Sequence, residues 1–89
     1  MKRIDPFTYY YPTLDLHGEI SRMVEVLVNS FINDNIIMKH DHLVIIHGKG
    51  KFILKKKLAE VLKSNQNVSK FYLDMNNPGA TIVELKIDK

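Results

Sequence analysis

Cysteine and tryptophan are missing from this 89-residue chain, and glycine and proline are scarce, at four and three residues. Without cysteine there is neither a disulfide framework nor a thiolate metal site, so packing alone must hold a fold of this size, with little margin. A reducing compartment suits such a composition. No apolar run approaches the ~20 residues of a membrane span. The basic opening Met1-Lys2-Arg3 leads into Asp5, Pro6 and a tyrosine-rich stretch, where a secretory leader would have its apolar core. The expectation is a soluble, cytoplasmic protein with no membrane partner. At 45% apolar residues, the length supports one domain around one core.

A large excess of charge of one sign is lacking too. Thirteen basic against ten acidic residues leave a formal +3, too mild to identify a nucleic-acid binder by itself. The distribution is uneven, however. Between Lys39 and Lys57 stand six lysines and three histidines, with Asp41 as the one acidic residue. On composition alone, a solvated lysine-rich helix face is the plainer explanation of that block.

Residues 1–12 carry Phe7, Tyr9, Tyr10 and Tyr11 between Pro6 and Pro12 with no period of 2 or 3.6. They read as an aromatic arm, better suited to lie across an uncovered sheet face than to stack on bases. The domain proper occupies 13–89. Leu14 and Leu16 alternate with Asp15 and His17, the period of a short half-buried strand that ends at Gly18 and puts Asp15 and His17 on one face. Met23, Val24, Leu27, Val28, Phe31 and Ile32 recur at helical spacing, with Ser21 as N-cap and Asp34-Asn35 as the end. After a solvated loop holding His40 and His42, Leu43 to Ile46 is a continuous apolar run, as in a parallel strand covered on both faces. A second helix from about Lys51 to Ser64 carries Leu54, Leu58, Val61 and Leu62 on one stripe. Val68 to Leu73 reads as a third strand, Asn76-Asn77-Pro78-Gly79 as a turn, and Thr81, Val83, Leu85 and Ile87 as inward positions of a fourth. The order is βαβαββ. Helical crossovers make strands one to three parallel and the short turn makes strand four antiparallel.

In an open α/β sheet, ligands bind beyond the carboxyl ends of the parallel strands. Strand one ends in Asp15-Leu16-His17-Gly18 and strand two in Ile46-His47-Gly48-Lys49-Gly50, so parallel pairing brings two histidine-glycine turns to one rim. Each turn alone is explained by a tight bend needing φ above zero. Together, a glycine turn opening a helix leaves unpaired N–H groups, Gly48 among them, pointing outward at the positive end of a helix dipole, a setting that suits phosphate. Lys49, Lys51 and Lys55 add cationic groups at the same end. His17 can act as general acid or base near neutral pH, and Asp15 can orient it or hold a divalent ion. A strand-end polar pair that caps a turn explains Asp15 and His17 equally well, and His47 is the weaker catalyst.

Leu14-Asp15-Leu16-His17-Gly18, Ile46-His47-Gly48-Lys49-Gly50 and Gly79-Ala80-Thr81-Ile82-Val83-Glu84-Leu85 resemble, in order and spacing, the three signature segments of the Smr (small MutS-related) domain family. The resemblance implies an α/β (α+β) two-layer sandwich similar to the C-terminal domain of translation initiation factor three. Its four-stranded mixed sheet would have strand four between strands two and three and both helices on one face. It further implies binding of DNA or RNA, in some relatives on the ribosome, and endonuclease activity in several. Carried over by position, Asp15 and His17 match the pair linked to cleavage, and His47, Gly48 and Gly50 match the second segment. Relatives with arginine at the position of His17 are thought to bind without cutting, so His17 favours nuclease competence. Phe52 stands where a small residue often follows, and Asn76-Asn77-Pro78 replaces a longer, glycine-richer loop.

The expected function is therefore an endonuclease or nicking domain with Asp15, His17 and His47 at its chemical centre and Gly18, Gly48, Lys49, Gly50, Lys51 and Lys55 holding phosphate. A single carboxylate fits metal-light acid–base chemistry or one loosely held Mg²⁺ at Asp15 better than a two-metal cluster. The alternative is a non-catalytic nucleic-acid or ribosome-binding module using the same rim. A binder of small phosphorylated metabolites is a third. An open sheet face invites cover by the arm or by a second subunit, hence a monomer or weak homodimer.

Overall fold

The computed structural model describes residues 11–49 and 52–87. Most of the aromatic arm, including Phe7, Tyr9 and Tyr10, lies outside the described residues, as do Gly50 and Lys51. The elements follow the order β1 (Thr13–Asp15), α1 (Ser21–Ile37), β2 (His42–Ile46), α2 (Phe52–Ser64), β3 (Val68–Asp74) and β4 (Asn77–Leu85). The strands form one sheet in the order β1-β2-β4-β3. β1 runs parallel to β2, and β4 is antiparallel to both β2 and β3. The expected two-layer architecture with β4 inserted between β2 and β3 is the one observed.

The core explains why these segments adopt these structures. In α1 the positions Val24, Val28 and Ile32 are fully buried at a spacing of four, and in α2 Leu54, Leu58, Val61 and Leu62 are buried likewise. They meet Leu16, Leu43, Ile45, Val83 and Leu85 from one face of the sheet. Each fully buried branched side chain stabilises the fold by roughly 1.5–3 kcal/mol relative to exposure, so this shared cluster defines which way every element faces. Met23, expected on the apolar stripe, stays exposed.

Several boundaries differ from the sequence-based expectation, and each has a local cause. β1 ends at Asp15, so His17 belongs to the following turn and does not share a strand face with Asp15. The N-cap of α1 is Ile20 in extended conformation with no side-chain cap, and Ser21 is already helical. Asn35 does not stop α1. Its buried side chain donates to the Phe31 carbonyl and its Oδ1 lies 2.8 Å from His40 Nδ1, so it ties the outgoing loop to the helix. The chain turns instead at Lys39, which has φ 62°.

His42 is the first residue of β2 rather than part of the loop, and Tyr11 stacks on its ring at 5.0 Å. By strand alternation, this contact lies on the face opposite the helices. The β3–β4 turn is Met75-Asn76, with Asp74 Oδ1 accepting the Asn76 N–H, and Asn77, Pro78 and Gly79 already belong to β4. No helix among the described residues is long and apolar enough to cross a membrane.

Candidate nucleic-acid interface

The parallel register of β1 with β2 pairs Asp15 with Ile46, and Leu16 N–H donates to the Ile46 carbonyl at 2.7 Å. Continuing that register sets Leu16 beside His47, so His17 leaves its strand within one residue of the height of His47 on the neighbouring strand. The rim predicted from the two histidine-glycine turns exists, but the two histidines play unlike parts in it.

The first turn is exposed. Asp15 Oδ1 accepts the backbone N–H of His17 at 2.8 Å, so the carboxylate organises the turn through the main chain. Glu19 N–H closes the bend onto the Leu16 carbonyl, and Gly18 adopts φ +88° with nothing near the place a Cβ would occupy. Glycine is needed here for the dihedral, since L side chains are disfavoured there, and not for space. The His17 imidazole is exposed to solvent, within reach of anything that docks on the rim.

The second turn is internal. His47 is fully buried, with Nδ1 3.1 Å from the Gly48 carbonyl and Nε2 3.1 Å from Thr81 Oγ1. A carbonyl only accepts, so Nδ1 carries the proton, and Nε2 then accepts the Thr81 hydroxyl. Burial pushes this imidazole below its ordinary value of 6.5, the nearby Lys55 charge acts in the same direction, and the Gly48 carbonyl opposes them. The ring is thus a neutral strut with both nitrogens engaged.

Gly48 has φ 87°, as a glycine turn requires. Its N–H is not directed outward, however: together with that of His47 it donates to the Gly79 carbonyl, at 3.0 and 2.8 Å. The expected anion contact from the Gly48 amide is therefore corrected, because β4 has already taken that donor. Gly79 is tightly seated, since a Cβ on it would lie 3.1 Å from Lys49 N and 3.2 Å from the Gly48 carbonyl carbon. Asn77 Oδ1 accepts the Gly79 N–H at 3.0 Å and fixes this approach. Thr81, Asn77 and Gly79 thus join the site: periodicity marks Thr81 only as an inward strand position, the turn pattern accounts for Asn77 and Gly79 without linking them to the rim, and the third signature segment contains Gly79 and Thr81 but not Asn77.

Lys49 and Lys55 are exposed. Lys55 lies in the first turn of α2, where the amide groups that lack intrahelical acceptors collect. Gly50 and Lys51, expected to hold phosphate, lie outside the described residues. No group of three or more His, Asp or Glu side chains among the described residues is arranged to hold a metal ion. Asp15, with one oxygen engaged by the His17 amide, offers the donor set of a largely hydrated, weakly held cation.

Two glycine turns and the exposed Lys49 and Lys55 thus meet at the carboxyl end of the parallel strands in a small two-layer α/β domain. The chain matches the family model of the Smr domain over residues 14–86 and belongs to that family. It is 38% identical over 76 residues to the Endonuclease MutS2 of Geobacillus sp. (strain WCH70), a match covering 82% of this chain and 10% of the relative. It is 37% identical over 78 residues to the Endonuclease MutS2 of Ligilactobacillus salivarius (strain UCC118), covering 84% of this chain and 10% of the relative. The chain thus spans about a tenth of the length of these curated relatives. Its fold resembles the crystal structure of the Smr domain of Thermus thermophilus MutS2, with TM-score 0.80, 23% identity and coverage of 84% of this chain and 98% of that one. It likewise resembles YdaL, a stand-alone small MutS-related protein from Escherichia coli, with TM-score 0.81, 22% identity and coverage of 97% and 81%.

Proposed function

We propose that this Smr domain binds DNA or RNA at the rim formed by the β1 and β2 turns and cleaves a phosphodiester bond there. The observation that carries the reading is the placement of an exposed His17, its turn braced by Asp15, one strand away from the Gly48–Lys49 turn. The "Endonuclease" in the names of the MutS2 relatives supports the same reaction class.

In this reading Lys49 and Lys55, joined by Gly50, Lys51 and the exposed Gly18 turn, hold the phosphate electrostatically. His17 exchanges the proton of the reaction, taking it from the attacking oxygen or giving it to the leaving oxygen as the new P–O bond forms and the old one breaks. Asp15 fixes the turn that aims His17 and is the residue that would hold Mg²⁺, whose chemistry when bound is neutralisation of phosphate charge. His47 acts as a positioning residue that locks the second turn onto β4. Ribosome association and a monomeric or weakly dimeric state are part of the same proposal.

The test is cleavage of supercoiled plasmid and of single-stranded RNA by the purified chain, with and without chelator. Nicking or RNA cleavage that disappears in His17→Ala is expected. Salt-sensitive binding with no cleavage under either condition would replace the enzyme with a binding module, and no binding at all would overturn the reading.

A further inference from the structure

Next to the phosphate rim, a cavity of about 120 Å³ opens between α2 and the edge strand β3. Leu58, Leu62, Phe71 and Leu73 give it apolar walls, and Lys55 and Thr81 are its polar members. Three features indicate what it takes. Its volume matches one small aromatic ring, not a helix or an extended peptide. Its cation is Lys55, the same residue proposed to hold phosphate, so an apolar slot and an anion site share a wall. A nucleotide presents that combination, a flat ring joined through a sugar to a phosphate.

The surroundings point the same way. Positions 52, 55, 59 and 62 fall on one face of α2 at spacings of three, four and three; Lys55, Ala59 and Leu62 line the cavity, and Phe52 lies one turn further along the same face, beyond the lining. Phe52 is 72% exposed, and Leu73 is 40% exposed, at the rim end of β3. Large apolar side chains held in water beside a basic patch are a feature of base-stacking surfaces. Tyr72 also lines the cavity, yet its hydroxyl donates to Glu84 on the other sheet face. It therefore meets the cavity through its backbone. Because β3 is an edge strand, its outer backbone groups can pair with the polar edge of a base.

We infer that this cavity receives an unpaired nucleobase adjoining the phosphate held at the rim, and so makes the protein selective for single-stranded or locally unpaired nucleic acid. A base inside a duplex is stacked and cannot enter. The inference rests on the proposed phosphate rim but does not require cleavage.

The test compares binding, by fluorescence anisotropy, of a short single-stranded oligonucleotide, its duplex and the same strand carrying abasic sites. Ala59→Phe, which fills the cavity from α2 without altering charge, is measured beside the wild type. The expected result is tighter binding of the intact single strand, weakened about tenfold by abasic substitution, within the range of single base-stacking contacts. In Ala59→Phe, binding of the intact strand should fall to the duplex level. If the abasic strand binds as tightly as the intact one while binding still falls in Lys49→Ala, the phosphate rim stands and the base cavity is overturned. If none of the oligonucleotides binds, both are overturned. The abasic comparison uses wild-type protein, so the inference stays decidable should Ala59→Phe fail to fold.

Discussion

Replacing Thr81 by valine tests the hydrogen-bonded strut between the second glycine turn and β4. The two side chains have nearly the same shape, so the change opens no cavity, but Nε2 of the fully buried His47 loses the hydroxyl 3.1 Å away. A buried acceptor stripped of its partner costs roughly 1–3 kcal/mol. In a domain of this size each kcal/mol lowers Tm by roughly 4–8 °C, so a drop of order 10 °C is expected. Thr81→Ser keeps the hydroxyl and gives up one buried methyl, about 0.8 kcal/mol, so it should lie between the two.

Urea unfolding from pH 8 to pH 5 adds a readout specific to the imidazole. Above 6.5 the ring is neutral in both folded and unfolded chains. Below it the unfolded chain gains a proton that the buried ring resists, its folded value being lowered by burial. The unfolded state then binds more protons, so His47 contributes stability that is present above about 6.5 and is lost as pH falls toward the lowered folded value. His47→Gln should flatten that part of the profile. Thr81→Val unfolding within about 0.5 kcal/mol of wild type, the scatter of ordinary surface changes, would refute the strut.

The remaining predictions concern the rim. Asp15→Asn should keep the turn, because the amide oxygen can still accept the His17 N–H, and Asp15→Ala should lose it; circular dichroism and cleavage assays together would separate the charge of Asp15 from its geometry. Lys49→Ala and Lys55→Ala should each reduce the salt slope of duplex binding by about 0.9 if each meets one phosphate, and an unchanged slope in the double variant would move the interface elsewhere. Gly79→Ala should damage the rim more than Gly18→Ala, since its Cβ would press on the Gly48–Lys49 backbone; at Gly18 only the backbone strain applies, roughly 1–3 kcal/mol, and equal losses in thermal unfolding would contradict this.

The sheet and its helices were readable because each apolar stripe has one period and one destination. Val24, Val28 and Ile32, or Leu54, Leu58 and Leu62, can be satisfied only by a common core. The two turns were readable for a related reason, since a glycine after a strand-end histidine marks a backbone requirement that the structure bears out in the φ of Gly18 and Gly48. What escaped the sequence depends on partners distant along the chain. Nothing in the local pattern says that the Gly48 amide is taken by Gly79, or that His47 turns inward to Thr81 while His17 remains outside. Asn35 misled for the same reason: a residue that often ends helices is here buried inside one, its side chain satisfied by Phe31 and His40.

The position of β4 in the sheet has a consequence for how the molecule is made. Among the described strands it comes latest in the sequence but sits between β2 and β3, with Ala80, Thr81, Ile82 and Val83 all buried. A nascent chain that has emerged only as far as β3 has no neighbour for the inner edge of β2 or of β3, and the second turn has no carbonyl to receive the His47 and Gly48 amides. The sheet can therefore close only after β4 has left the ribosome, and the long loop that must close first slows folding. Until then β2, with Leu43, Val44 and Ile45, is an apolar strand with a bare edge, the kind of segment that seeks another chain. The residues that complete the rim are thus the same ones whose arrival ends the chain's exposure to misassembly.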